Sequence, residues 1–163
     1  MKKYLIITLL LLVTISFLSC VTILGNTKTQ SFAVKDLAVC IDDPVNYDQF
    51  IASEELSQGV EFWVYLSWTG MKGQAHDDGT RTVKLLVEFI MINPQQEIEF
   101  QYFVLNGEEI TLLPEENIDE LSWLAVPHAV PRDAMLGKYE LRVNMTDILQ
   151  NKSFTTSIYF VVK

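Results

Sequence analysis

The sequence predicts an all-β domain, a single sandwich of about seven or eight antiparallel strands behind an N-terminal export segment. Three observations predict it. From Thr29 onward, apolar and polar residues alternate with a period of two, the pattern of strands with one buried and one wet face. Gly, Pro, Asn and Asp interrupt these runs, as turns require. No long stretch carries the period of an amphipathic helix.

The N-terminus is read apart from the fold. Met1-Lys2-Lys3 is a short basic start, and residues 4–18 are apolar except for Thr8, Thr14 and Ser16. Lysine stays on the cytoplasmic side while the apolar run inserts, which is the layout of a secretory signal. The Leu18-Ser19-Cys20 junction resembles a bacterial lipobox, in which a small residue precedes a cysteine that becomes lipidated. Phe17 stands where that family usually has leucine. The resemblance implies cleavage before Cys20, acylation of Cys20 and a lipid anchor in the cell envelope. Residues 1–19 are then the signal peptide, 20–30 a polar tether and 31–163 the folded domain. Two alternatives stand beside it: an uncleaved span over residues 4–24, and cleavage elsewhere with soluble secretion. Val21 follows the cysteine where the inner-membrane retention signal of enteric bacteria has Asp, which points to the outer membrane.

The strands follow in order. Residues 31–41 and 60–68 come first, the latter setting Phe62, Val64, Leu66 and Trp68 against Trp63, Tyr65 and Ser67. Residues 82–92 form a long strand with Val83, Leu85, Val87, Phe89 and Met91 on one face and Leu86, Ile90 and Ile92 on the other. Residues 97–104 are expected to bury Ile98, Phe100, Tyr102 and Val104, with Asn106-Gly107 as a hairpin turn into a short strand at 109–113. A short strand at 121–126, an alternating strand at 138–145 and a last strand at 153–162 complete the set. Asn93-Pro94 stops the long strand, and residues 147–152 form the last hairpin. Residues 51–56 and 115–121 are expected as brief helical turns.

This strand count with no long helix fits a sandwich in the immunoglobulin-like class. The stretch from Val130-Pro131-Arg132-Asp133 to Gly137-Lys138-Tyr139 resembles the approach to a late strand in bacterial immunoglobulin-like and fibronectin-III-like domains. That resemblance implies a structural role for Tyr139, whose hydroxyl would bond backbone upstream, behind the Gly137 start. The Cys-Trp-Cys core of antibody domains is missing.

Composition narrows the function. The formal net charge of -9 and the lack of a Lys/Arg cluster argue against nucleic acid. With Cys20 acylated, Cys40 has no internal disulfide partner and reads as a small buried hydrophobe. His76, Asp77 and Asp78 are weak metal candidates, because Asp-Asp-Gly is equally what a hairpin loop needs. His128 stands beside Pro127 in an expected loop. No nucleophile elbow, phosphate loop or dinucleotide fingerprint occurs, so no catalytic residue and no cofactor are assigned. The apolar surplus remains. Trp63, Tyr65 and Ile90 lie on faces opposite the core rows, and Trp123 adds an anchor of the kind favoured at interfaces. If the strands at 60–68 and 82–92 pair, one sheet is apolar on both faces. The expectation is a non-catalytic binding or scaffolding module that meets a protein partner, with membrane attachment through the lipid. A small-ligand or metal protein using the His76 loop is the alternative, with a protease-inhibitor-like sandwich behind it.

Overall fold

A computed structural model describes residues 31–44, 52–118 and 122–163. Cys20 and the expected signal peptide and tether, residues 1–30, lie outside these residues. The described chain is nearly all β and carries nine strands: β1 Ala33–Cys40, β2 Glu55–Leu56, β3 Glu61–Thr69, β4 Gln74–Ala75, β5 Arg81–Ile92, β6 Ile98–Leu112, β7 Trp123–Ala129, β8 Gly137–Asp147 and β9 Lys152–Val162.

They form two sheets. One has three strands in the order β1-β3-β7, all antiparallel. The other has six, in the order β2-β9-β8-β5, with β6 on the far side of β5 and β4 pairing the first residues of β5. Its pairs are antiparallel except β2 with β9. The core rows of both sheets meet between them. Val64 and Leu66 from β3 face Val87 and Phe89 from β5 and Leu141 and Val143 from β8, all 0% exposed. Burying each such side chain contributes about 1.5–3 kcal/mol.

The sheets are joined along both sides. On one, residues 52–56 pass from the edge of β1 to the edge of β9. Ser53 N donates to Val39 O at 2.7 Å, and Val161 N donates to Glu54 O at 2.8 Å. The expected helical turn there is instead a backbone stitch, because two strand edges with unpaired polar groups lie within its reach. On the other side, β6 and β7 are linked by side chains.

Strand β6 departs most from expectation. Asn106-Gly107 is not a hairpin turn, because β6 runs through it and stays paired with β5. Lys84 pairs with Glu109 and Leu86 with Asn106, so two residues oppose Leu85. Gly107 takes a φ of 79° there, and the positive φ accommodates a bulge instead of reversing the chain. Two more extra residues fall at Val104 and Glu99. The Glu99 bulge shifts the alternation, so Ile98 is 60% exposed where burial was expected. The true β5–β6 turn is at 93–97, where Asn93 Oδ1 accepts from Gln95 N at 2.9 Å and Glu97 N at 3.0 Å.

The last hairpin forms where expected. Buried Asp147 accepts from Gln150 N at 3.0 Å and caps the turn. Gly137 has a φ of 134°, and a Cβ there would lie 3.0 Å from Pro94 Cγ, so glycine is required on two counts.

Candidate functional site

The apolar surplus resolves into two unlike surfaces, because β3 and β5 do not pair. They belong to different sheets, and the expectation of one sheet apolar on both faces through that pairing is corrected. Periodicity reports the face of a residue and says nothing about which strand lies beside it.

Trp63, Tyr65 and Trp123 come together on the outer face of the three-stranded sheet. Trp63 stands between Cys40 and Pro127, Tyr65 between Ala38 and Ala125, and Ser67 beside Trp123. The small Ala38 and Ala125 leave room for the Tyr65 ring, which is 0% exposed and stacks on Trp123 with centroids 6.3 Å apart. Trp63 and Trp123 are half-buried and pack against this second cluster of Ala38, Cys40 and Tyr65. Burial raises the Cys40 thiol pKa, which keeps it protonated. At one border, Ser67 Oγ donates to Asp36 Oδ2 at 2.9 Å.

Ile90 does not join them. It lies on the outer face of the six-stranded sheet and is buried, between its cross-strand neighbours Gln101 and Arg142. This face is polar. Glu88 accepts from Gln101 Nε2 at 2.6 Å and Asn144 Nδ2 at 2.8 Å, and Thr155 Oγ1 donates to Asn144 Oδ1 at 2.8 Å. That row crosses four strands, β6, β5, β8 and β9. These two bonds, Asn144 first, hold the Glu88 carboxyl below its usual range. Beyond it, Lys138 Nζ sits 4.1 Å over the ring of the exposed Tyr159.

His128 is not in a loop. It is on β7, which tolerates Pro127 because it is an edge strand. Its ring points inward, pairs across from Phe62 and stacks on Phe100 with centroids 5.4 Å apart and planes 7° apart. Its Nε2 is 2.8 Å from Tyr102 Oη, which makes the side-chain link between the sheets. Burial pushes His128 down to about 4 and Tyr102 up to about 12. Both are neutral at pH 7, and the pair ties the two sheets together. The inward row Leu124, Val126, His128 was the available signal for it.

The His76 loop spends its groups internally. Asp78 Oδ1 accepts from Thr80 N at 3.0 Å and Thr80 Oγ1 at 2.7 Å, which lowers its pKa, and His76 Nε2 meets Thr82 Oγ1 at 2.8 Å. Asp77 is exposed beside them. Among the described residues no group of three or more His, Cys, Asp and Glu side chains converges, and no helix is long and apolar enough to cross a membrane.

Tyr139 is 4% exposed and stacks on Phe160 with centroids 5.7 Å apart. Its Oη approaches the Met135 backbone upstream, which works to lower the phenol pKa, yet it completes no hydrogen bond of ordinary geometry. Burial, then the charge of Glu99, prevail and raise that pKa.

The sequence matches no protein-family profile, and no curated protein matches it. Among solved structures it is similar in part to the sporulation control protein Spo0M of Bacillus subtilis, at 12% identity and a TM-score of 0.44, over 82% of this chain and 49% of that one. It is also similar to a β-glucuronidase of Parabacteroides merdae, at 10% identity and a TM-score of 0.43, over 81% of this chain and 14% of that one. A third is the alkylpurine DNA glycosylase AlkC of Pseudomonas fluorescens, at 8% identity and a TM-score of 0.41, over 82% of this chain and 31% of that one. The chain thus spans less than half the length of each, and likenesses this distant carry no functional argument.

Proposed function

We propose that this chain is a cell-envelope lipoprotein whose immunoglobulin-like domain is a non-catalytic binding module, meeting a protein partner through the outer face of the three-stranded sheet. The observation that carries the reading is the second aromatic cluster. Trp63, Tyr65 and Trp123 gather on the sheet face turned away from the core, with Trp63 and Trp123 part-exposed. A single partly exposed aromatic needs no explanation, whereas two half-buried tryptophans packed against one cluster around a buried tyrosine have the make-up of an interface centre. The opposite outer face exposes Phe103 and Tyr159, but on β6 and β9 with β5, β8 and the hydrogen-bonded row between them, so they do not form one aromatic cluster. The lipid on Cys20 fixes the domain at a membrane, and the acidic charge holds it off anionic headgroups.

The test is co-purification from detergent-solubilised envelopes. Trp63→Ser and Trp123→Ser together should reduce recovery of the bound protein by about tenfold or more while the circular dichroism spectrum is kept. Unchanged recovery contradicts the assignment of this face.

A further inference from the structure

A cavity of about 70 Å³ opens at one end of the gap between the sheets. Most of its wall is apolar, with Phe62 from β3, Met91 from β5, Phe100 from β6, and Phe160 and Val162 from β9. Only two side chains with polar heads line it, Glu99 and Tyr139. Glu99 is the extra residue of a β6 bulge and is exposed. Its carboxylate takes no part in the ion pairs of the described residues, which are Lys84–Glu109, Arg142–Glu140 and Lys163–Glu55. Tyr139 is the reverse, buried to 4% exposure, with an Oη that approaches the Met135 backbone but completes no hydrogen bond of ordinary geometry. A buried hydroxyl with only a poorly formed contact keeps capacity for a better donor, which a ligand in the cavity would supply.

The chemistry of the walls selects the ligand. An anion is repelled by Glu99 and by a chain of net charge -9. A bare inorganic cation has no use for five apolar side chains. An aromatic ring is too large, since an engineered cavity that binds benzene has about 150 Å³. A neutral alcohol satisfies Tyr139 and leaves the carboxylate unpaired. A short chain of methylenes ending in a positive donor fits every feature.

We propose that this cavity binds a short primary alkylammonium ion tail-first, its methylenes among Phe62, Met91, Phe100, Phe160 and Val162 and its ammonium donating to the Glu99 carboxylate and Tyr139 Oη. A ligand of so few atoms binds weakly, in the millimolar range or about tenfold tighter. The site is separate from the aromatic face and stands or falls without it.

The test is a nuclear magnetic resonance titration of the full chain in detergent with n-butylammonium. Saturable shifts at the Met91 and Phe100 amides are expected. Glu99→Gln should weaken binding about tenfold, and Tyr139→Phe about threefold. Both variants should keep the fold, since one changes an exposed group and the other removes a hydroxyl with no well-formed bond while leaving the ring stacked on Phe160, and the circular dichroism spectrum checks this. Butan-1-ol should bind about tenfold more weakly than the amine. Nα-acetyl-lysine methylamide, whose tail is blocked by peptide groups, should leave the cavity signals unmoved. Absence of saturable shifts, equal binding of the alcohol, or an unaffected Glu99→Gln variant overturns the proposal. Binding of the lysine derivative as tightly as butylammonium also overturns it, and assigns the cavity to a lysine side chain of a protein.

Discussion

Tyr102 Oη lies 2.8 Å from His128 Nε2, and this contact ties the free edge of β6 to the free edge of β7 across the core. The opposite side of the molecule is closed by main chain, so this side chain pair carries the matching duty alone among the hydrogen bonds between β6 and β7 of the described residues.

The tie makes stability depend on acid. Burial lowers the His128 pKa from 6.5 to about 4, so the unfolded chain takes up the proton first as pH falls. The contribution is complete above pH 6.5 and is lost as pH drops toward 4, by up to about 3 kcal/mol. Urea denaturation across this range should show the decline, and His128→Phe, which keeps the stacking on Phe100, should flatten it. An equal decline in the variant contradicts the assignment.

Glu88 adds a second acid-sensitive element, at lower pH. Its carboxyl is held down by Asn144 and Gln101, so its contribution is present above the ordinary carboxylate pKa and lost as pH falls through the lowered one. Glu88→Ala should cost about 0.5–1 kcal/mol at pH 7, since those donors turn to water. A change within error by chemical denaturation means the row is ornamental.

Gly107 and Gly137 test two different demands on the backbone. Gly107 has a φ of 79° inside β6, and Gly107→Ala should cost about 1–2 kcal/mol through that conformation. Gly137 combines a φ of 134° with Pro94 at 3.0 Å, so Gly137→Ala should cost more, about 2–3 kcal/mol. Thermal melts of the two variants should fall in that order.

Much of the architecture was legible in period-two alternation. The inward rows of β3, β5 and β8 are those the sequence indicates, because each strand keeps one register along its length. Strand β6 was not, since bulges at Glu99, Val104 and Gly107 each add a residue and shift the alternation. An Asn-Gly pair offers a positive φ, and the pairing partner decides whether that makes a turn or a bulge. The grouping of Trp63, Tyr65 and Trp123 was legible as residues and not as a site. Ile90 was wrongly joined to them, because neither sheet membership nor its burial between Gln101 and Arg142 in the register appears in a linear pattern. His128 was hidden by Pro127, which reads as a loop residue unless the strand is an edge.

The working surface proposed is the outer face of the three-stranded sheet. The most direct measurement puts a photoreactive aromatic residue in place of half-buried Trp123, and in a second variant in place of exposed Thr155 on the opposite sheet, and crosslinks living cells. One discrete adduct is expected from position 123, lost when Trp63 is also replaced, and none from position 155. Adducts of equal yield from both positions, or none from position 123, would contradict this assignment.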